Sequence, residues 1–404
     1  MNRRDFLSYA SMAAAGTFIP WRGAQAEGRT LRGYLRSNWS RDPYTFGSYS
    51  YVARDAQQPD RLTLGKPVGN RVYFAGEAVH PTHNSTVHAA YESGVMVAED
   101  VGRNTSGNVA IIGAGVSGLA AAQALSEGGR TVTVIEAQDR IGGRVRTSNV
   151  LGSPLDLGAS WIHGTRRNPI HALARDINAQ TVATDETYIA RGAAGQVLDD
   201  NTAPGWLENV TTIQHNAGAD SSEINLNAYN AQTEYSGKDV IFPEGYESIL
   251  PALQGNYDIQ TSKPVSAISY GEEGVSITAN GIATQFDVVV VTLPLGVLKR
   301  DIVTFSPPLP ADKQAAISKL GMGTLDKLYL RYDQPFWDED TTWIATPENG
   351  LPQGQFNQWL NLYKYIGEPI IMGFNGGPPA LQLAQLSDDE IVLQGQQALE
   401  SAYF

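Results

Sequence analysis

The chain has 404 residues, enough for about two domains with sizeable hydrophobic cores. Its net charge of −13 argues against nucleic acid as a partner and suits a cationic substrate. The sequence contains no cysteine, which excludes disulfides, thiolate chemistry and cysteine-ligated metals. No apolar run reaches the roughly 18 residues of a membrane-spanning helix, so no integral membrane segment is predicted.

Residues 1–26 are interpreted as an export signal. The stretch from Asn2 to Leu7 reads NRRDFL and resembles the twin-arginine signal, and a mildly apolar stretch follows up to Ile19. Ala24 to Ala26 forms an A-x-A cleavage site, so the mature chain is expected to begin at Glu27. The expected destination is the periplasm or the exterior of the cell.

The next part of the chain carries three motif-rich stretches, namely Asn38 to Tyr51, Arg71 to Ala78 and Ser85 to Gly94. Residues 101–107 read VGRNTSG, and this polar, glycine-containing composition predicts a linker.

Three histidines lie close together in this region, His80, His83 and His88. Their spacings of three and five residues do not place them on one face of a helix. No metal site is therefore predicted.

A βαβ dinucleotide-binding unit is predicted after the linker. A buried strand from Val109 to Ile112 precedes a helix from Val116 to Leu125, and a second strand from Thr131 to Ile135 ends on Glu136. The turn between the first strand and the helix has the G-x-G-x-x-G spacing, with Gly113, Gly115 and Gly118.

Each part of this unit has a role in binding a dinucleotide. Gly113 permits a tight turn, Gly115 lets the backbone approach a pyrophosphate, and Gly118 allows the helix to pack closely on the strand. The helix N-terminus offers free N–H groups to the anion. Glu136 is placed to accept hydrogen bonds from ribose hydroxyls.

The residues that follow Glu136 indicate a particular family. Arg140 to Arg144 reads RIGGR and resembles the second phosphate-binding turn of FAD amine oxidases. The three motif-rich stretches before the dinucleotide unit are similar to the C-terminal motifs of the monoamine/polyamine oxidase family of flavoproteins. The resemblance implies an α/β fold, in which a Rossmann-like FAD-binding domain accompanies a discontinuous α+β substrate-binding domain.

The order of these motifs is unusual. In the family they end the chain, whereas here they precede the dinucleotide unit, so the sequence looks like a circular permutation of a family member. Folded domains tolerate such a change when their termini lie near each other at the surface. We therefore expect Phe404 to lie close to Leu31, and Glu77 to lie close to Gly115 and Glu136.

The resemblance implies a division into interleaved segments. The expected FAD-domain segments are residues 31–100, 108–165 and 241–300. The expected substrate-domain segments are residues 166–240 and 301–404, and residues 101–107 form the linker.

The resemblance also implies which residues contact FAD. Arg144 would lie beside the cofactor, Gly158 and Ala159 beside its ring, and Glu77 at its ribityl chain. The Val265 backbone would contact adenine. Thr86 and Val87 would begin the last helix of the FAD domain, with the Val87 N–H directed to a flavin carbonyl.

Three residues are expected to take part in catalysis. Lys327 matches a lysine that in the family is bridged by water to the reactive flavin nitrogen, and Tyr49 matches an aromatic wall of the substrate cage. His163, in the sequence WIHG, matches the position where polyamine oxidases place a histidine or an acidic residue. Further pocket residues implied by the resemblance are Trp39, Trp161 and Tyr246.

Two departures from the monoamine oxidase pattern bear on the chemistry. Thr86 stands where those enzymes have a second cage tyrosine, which favours the polyamine branch. Ser48 stands where they carry a cysteine bonded to flavin, so the FAD is expected to be non-covalent.

The resemblance implies hydride transfer from a primary or secondary, polyamine-like amine to FAD. The products would be an imine or aldehyde and hydrogen peroxide, with molecular oxygen as electron acceptor. An L-amino-acid oxidase on the same scaffold is the alternative, because Arg166, Arg167 and Arg191 could bind a carboxylate. A non-enzymatic, flavin-bound scaffold is a second alternative, against which the intact Lys327 argues.

Overall fold

The structure, a computed structural model, describes residues 29–199 and 201–404. The predicted export signal therefore lies outside the described residues. Two large sheets form the centre of the molecule, one parallel and one mostly antiparallel. Within the described part of the chain, no helix combines the length and apolarity needed to cross a bilayer.

The parallel sheet forms because three of its strands, Val72–Phe74, Val109–Ile112 and Val288–Val291, are short, continuous apolar runs that are buried on both faces. All four of its pairings are parallel. Its five strands, in spatial order, are Asp258–Gln260, Val132–Ile135, Val109–Ile112, Val288–Val291 and Val72–Phe74. The strand Val72–Phe74, from the segment before the dinucleotide unit, thus completes the sheet at one edge.

The larger sheet has seven strands and carries the opposite half of the molecule. Most of its pairings are antiparallel, while Tyr188–Arg191 runs parallel to Trp343–Ala345. In spatial order its strands are Leu31–Arg36, Leu325–Tyr332, Ile370–Gly376, Gln358–Asn361, Trp343–Ala345, Tyr188–Arg191 and Val197–Leu198.

Four smaller sheets accompany these two in the described residues. One contains four strands, Ile282–Phe286, Gly274–Ala279, Val265–Gly271 and Thr304–Ser306. Another contains Trp161–Ile162, Val240–Ile241 and Val182–Ala183. Two further pairs are Gly321–Gly323 with Tyr49–Tyr51, and Thr147–Ser148 with Leu155–Asp156.

The helices cover the sheets and connect their strands. The α-helices are Gln58–Gly65, Val87–Asn104, Val116–Glu127, Pro169–Asp176, His215–Ala217, Leu226–Asn230, Leu295–Leu298, Ala311–Lys319, Tyr363–Ile366, Pro378–Leu383 and Asp388–Glu400. The 3₁₀ helices are Trp39–Arg41, Glu77–Val79, Ser221–Glu223 and Tyr246–Leu253. The segment Asn209–Gln214 forms a π-helix.

Two expectations about these elements were wrong, and a third segment winds more tightly than an α-helix. Strand Leu31–Arg36, expected in the FAD domain, belongs to the larger sheet, because it pairs antiparallel with Leu325–Tyr332. Helix Val87–Asn104 extends four residues into the predicted linker, since Val101 is fully buried and continues its apolar face. The segment Tyr246–Leu253 winds as a 3₁₀ helix and contains Pro251, which has no N–H to donate.

Candidate active site

A cavity of about 980 Å³ lies between the two layers, at the upper end of the size range of ligand pockets. Ile112 and Ile135, which end two parallel strands, and Thr292, which follows a third, line it. The cavity therefore opens at the carboxyl ends of the parallel strands, where α/β proteins bind their ligands.

One end of the cavity is built by two glycine turns. Gly113 has a φ of +107°, and Gly115 precedes the helix Val116–Glu127, whose first N–H groups have no partner within the helix. Gly143 of the RIGGR turn lies so close that an added Cβ would come 3.2 Å from the Gly115 Cα. This close, donor-rich cradle fits the diphosphate of a dinucleotide.

Gly118 has the packing role expected of it. It does not line the cavity, and a Cβ there would come 2.0 Å from the Gly113 carbonyl oxygen. The absence of a side chain thus allows the helix to approach the strand that precedes it.

Glu136 presents a buried carboxylate to the same cavity. Its oxygens accept hydrogen bonds from the Ala114 N–H at 2.7 Å and the Gln138 N–H at 2.8 Å. Burial raises the pKa of Glu136, although these N–H groups oppose the shift. A carboxylate accepts further hydrogen bonds, so ribose hydroxyls fit here. The Val265 position, also on the cavity wall, lies in the neighbouring four-stranded sheet.

Glu77 and Arg144 link the two sides of the cavity by an ion pair of 2.8 Å. Glu77 also accepts hydrogen bonds from the Ser50 hydroxyl at 2.6 Å and the Ser85 N–H at 3.0 Å. Burial alone would raise the pKa of Glu77, but the charges of Arg144 and Arg61 hold that pKa below its usual value. Glu77 thus contacts the second glycine turn and lines the same cavity as Gly115 and Glu136.

Thr86 and Val87 begin the helix that ends at Asn104, as expected. The Thr86 hydroxyl accepts a hydrogen bond from the Ala89 N–H at 3.1 Å and so caps the helix. Both residues line the cavity. Their position directs the positive end of a helix of 18 residues toward the cavity.

Lys327 is buried on the cavity wall, where its ammonium has three protein acceptors. Nζ donates to the Asp156 carbonyl at 2.9 Å, to the Gly158 carbonyl and to the Ser160 hydroxyl at 2.6 Å. Burial lowers the pKa of Lys327 to about 8. Because an ammonium has three hydrogens to donate, a water at Nζ would replace one of these bonds.

This lysine also fixes the segment that carries Gly158 and Ala159, both on the cavity wall. A Cβ at Gly158 would overlap the Arg144 carbonyl oxygen and would lie 3.3 Å from the Trp39 ring. The Trp39 indole N–H donates to the Leu157 carbonyl at 2.9 Å. Trp39 is thus a buried aromatic beside this segment and lines the cavity.

Beyond Lys327 the cavity is walled by a cluster of aromatic rings, which we call the aromatic box. Trp161 stacks on Trp343 with ring centres 5.8 Å apart, and Phe374 lies 6.0 Å from the Trp343 ring. His215 lies 6.1 Å from Phe374 and is buried, which lowers its pKa to about 4. Tyr49 completes the box and donates its hydroxyl hydrogen to the His215 carbonyl.

Sequence reasoning identified Trp161 and Tyr49 but missed Trp343, Phe374 and His215. Phe374 faces Lys327 because the two are paired across neighbouring strands. That register joins segments about 50 residues apart, and no local pattern reveals it.

Tyr246 was expected in the substrate pocket, and this expectation was wrong. Its ring is fully buried and packs edge-on against Phe242, with centres 4.7 Å apart. Its N–H donates to the Asp156 side chain at 2.9 Å. Tyr246 is therefore a core residue behind the cavity wall.

His163 lies at the edge of the aromatic box and is half-exposed. Its Nδ1 lies 2.7 Å from Asp239 Oδ2. Asp239, which sequence reasoning also missed, lines the cavity too.

Three groups near the cavity, His80, His83 and Glu92, lie within 4.8 Å of one another, a spacing that could hold a metal ion. His80 Nδ1, however, accepts hydrogen bonds from the N–H groups of Thr82 and His83. The neutral ring must therefore carry its proton on Nε2, the nitrogen that would bind the metal. The geometry is that of two imidazoles donating to Glu92, not of a metal centre.

Comparison with known proteins agrees with this site. The family described as flavin-containing amine oxidoreductase matches residues 18–102, 116–205 and 217–404. Polyamine oxidase 4 of Oryza sativa subsp. japonica is 30% identical over 348 residues, covering 70% of this chain and 70% of that protein. Lysine-specific histone demethylase 1 homolog 2 of Arabidopsis thaliana is 29% identical and covers 68% of this chain, but only 45% of that protein is matched.

The fold has a solved counterpart. Cyclohexylamine oxidase from Brevibacterium oxydans IH-35A superimposes with a TM-score of 0.59 at 21% identity, covering 74% of this chain and 81% of that one. The glycine cradle, Glu136 and Glu77 fit the diphosphate and sugar portions of FAD, which supplies the hydride acceptor when bound. The chain belongs to the flavin-containing amine oxidoreductase family and is an FAD-dependent enzyme that oxidises amines.

Proposed function

We propose that the substrate is a flexible, polyamine-like primary or secondary amine and that molecular oxygen accepts the electrons. The amine loses hydride from the carbon next to nitrogen, giving an imine that hydrolyses to an aldehyde, and oxygen leaves as hydrogen peroxide. Support comes from the aromatic box beside Lys327, and from similarity to proteins named polyamine oxidase.

The aromatic box is the observation that carries this proposal. A free alkylamine has a pKa near 10, so removing its proton at pH 7 costs roughly 4 kcal/mol. Trp161, Trp343 and Phe374 provide an apolar surround that disfavours the ammonium form.

The rim of the cavity has a different character. Glu186, Glu234 and Asp239 line it, and the chain carries a net charge of −13. An acidic entrance concentrates cationic substrates and repels carboxylates.

The charged residues of the cavity are less suited to an L-amino-acid substrate. Such an enzyme needs an arginine for the substrate carboxylate, and among the described cavity-lining residues the arginine is Arg144, already paired with Glu77. Arg166 and Arg167 do not line the cavity, and Arg191 pairs with Asp338 at 2.5 Å.

A peroxide-coupled screen of purified holoprotein tests the proposal. Spermidine, spermine, putrescine, tyramine and a set of L-amino acids are compared at equal concentration in air. Turnover of polyamines above tyramine and all L-amino acids is the expected result. Preferred turnover of an L-amino acid would overturn the proposal.

We also propose that the enzyme is exported by the twin-arginine route, on the basis of the sequence Asn2 to Leu7. Replacing Arg3 and Arg4 with lysines should leave the protein in the cytoplasm of a host with that pathway. Continued appearance of the doubly substituted protein in the periplasm would contradict the proposal.

The permuted order is likewise a proposal. It is supported by the contact of Arg29 with the Phe404 ring, which places the start of the described chain beside its last residue. It is also supported by the pairing of Val72–Phe74 with Val288–Val291.

Reopening the chain tests the permutation directly. A variant would join Phe404 to Arg29 through a short glycine-serine linker and begin at Thr105. We expect it to bind FAD with an unchanged flavin spectrum and to retain turnover. An insoluble or flavin-free product would count against the proposal, provided that the parent chain made in parallel binds FAD.

A further inference from the structure

The pairing of two short strands brings one carboxylate beside His163. Val240 pairs with Ile162 and Ile241 with Trp161, in antiparallel register. Continuing this register by one residue places Asp239 directly opposite His163. Because alternate residues of a strand share a face, His163 lies on the same side as the Trp161 ring of the aromatic box.

The backbone around Asp239 is fixed from several directions. The Gly164 N–H donates to Asp239 Oδ1 at 2.8 Å, and the Thr184 N–H donates to the Asp239 carbonyl at 3.0 Å. On the other side, the Asn168 amide donates to the His163 carbonyl at 3.0 Å. Both members of the pair therefore sit on anchored backbone.

The chemistry of this contact determines which nitrogen of His163 holds the proton. Burial opposes ionisation of Asp239, but the hydrogen bonds from His163 and Gly164 hold the pKa of Asp239 below its usual value. An ionised carboxylate only accepts hydrogen bonds. His163 Nδ1, at 2.7 Å, must therefore be the donor, which leaves Nε2 with a lone pair in the neutral ring.

We propose that Asp239 is a positioning residue that keeps the His163 proton on Nδ1, so that Nε2 accepts a hydrogen bond and then a proton from the substrate ammonium. The ammonium N–H bond breaks, an Nε2–H bond forms, and the electron pair stays on the amine nitrogen. The resulting imidazolium is stabilised by Asp239. The inference rests on the proposed amine substrate.

The test replaces Asp239 with asparagine, which has the same shape and can donate from its amide to Nδ1. This change favours the Nε2–H form of His163, which cannot accept from the ammonium. We expect kcat/KM for the best amine of the screen to fall by at least about tenfold, mainly through a higher KM. Asp239→Glu, which keeps the carboxylate, should recover part of this loss.

Nitrogen NMR of histidine-labelled holoprotein reports the tautomer of His163. This tautomer would not change if the role of Asp239 were merely structural. The His163 signals, identified by their loss in His163→Asn, should report Nδ1–H in the parent and Nε2–H in Asp239→Asn. Asp176→Asn, which removes an exposed carboxylate on helix Pro169–Asp176, is the matched control and should change neither readout.

The outcomes separate this inference from the proposed function. If no amine is turned over by the parent protein, the proposed function fails, whatever the tautomer. If the parent turns over an amine but carries the His163 proton on Nε2, the inference is overturned. An unchanged kcat/KM in Asp239→Asn would overturn the inference as well. If Asp239→Asn does not fold, the tautomer of His163 in the parent protein still tests the inference.

Discussion

Glu77 and Arg144 form an ion pair of 2.8 Å across the cavity, although 67 residues separate them in sequence. Glu77 follows an edge strand of the parallel sheet, whereas Arg144 ends the second glycine turn. This contact ties the segment that precedes the dinucleotide unit to the unit itself. The FAD site is thus assembled from both segments.

Loss of the Glu77 charge should destabilise the protein. Glu77→Gln leaves Arg144 and the fully buried Arg61 without their shared carboxylate, and breaking a buried pair costs about 3 kcal/mol or more. Urea unfolding of the holoprotein would measure this loss, and FAD content should fall in parallel. The exposed Glu244→Gln is the control, and equal unfolding free energies for the two variants would contradict the prediction.

Two glycines offer a matched pair of substitutions. Gly118→Ala places a methyl group 2.0 Å from the Gly113 carbonyl, so a loss of about 1–3 kcal/mol and weaker FAD binding are expected. Gly102→Ala, exposed on helix Val87–Asn104 with open space around it, should be neutral or gain up to about 1 kcal/mol. Equal thermal stabilities of Gly118→Ala and Gly102→Ala would contradict the close contact between Gly118 and the Gly113 carbonyl.

Lys327→Met should retain FAD but slow flavin reduction or reoxidation by at least about tenfold, some 1.4 kcal/mol of barrier. The change removes the charge and the Nζ hydrogen bonds to the Gly158 carbonyl and the Ser160 hydroxyl, so the segment beside the flavin ring loses its anchor. Stopped-flow absorbance follows both half-reactions. Rates equal to those of the parent would show that Lys327 contributes to neither flavin reduction nor flavin reoxidation.

Stability should fall as the medium becomes acidic, because of two buried histidines. Burial lowers the pKa of His88 to about 3 and that of His215 to about 4, both below the ordinary 6.5. Between these values and pH 6.5 the unfolded chain binds protons that the folded chain does not. Each group then lowers the unfolding free energy by up to about 1.4 kcal/mol per pH unit.

This pH dependence can be assigned by substitution. Urea titrations between pH 7.5 and 4.5, at fixed excess FAD, should show a shallower decline in His88→Asn than in the parent. His171→Asn, at a partly exposed position, serves as the control. A parent protein whose unfolding free energy stays flat over this range would contradict the account.

Two strands of the parallel sheet and the glycine turns beside them could be predicted from sequence because their signals are local. The run Val109–Ile112 is followed by the spaced glycines and by an alanine-rich helix, and each strand pairs with a neighbour of the same kind. Residues such as Glu136 and Arg144 then have fixed places relative to those turns. The Gly115–Gly142 contact follows from the same local geometry.

Pairings between strands that lie far apart in the sequence could not be predicted. Strand Leu31–Arg36 joins Leu325–Tyr332 across about 300 residues, so its sheet could not be inferred from neighbouring residues. Asp239 reaches His163 through a two-residue strand pairing that has no periodic pattern. Tyr246 was wrongly predicted to line the pocket. The sequence around an aromatic residue does not show whether its ring lies on a cavity wall or is buried behind that wall.

Anaerobic reduction of the bound flavin by an amine tests the central claim most directly. Holoprotein free of oxygen is mixed with spermidine, and flavin absorbance is followed before and after air is admitted. We expect the yellow colour to bleach in the absence of oxygen and to return with peroxide once air enters. A flavin that stays oxidised with spermidine, spermine, putrescine and tyramine alike would contradict the account.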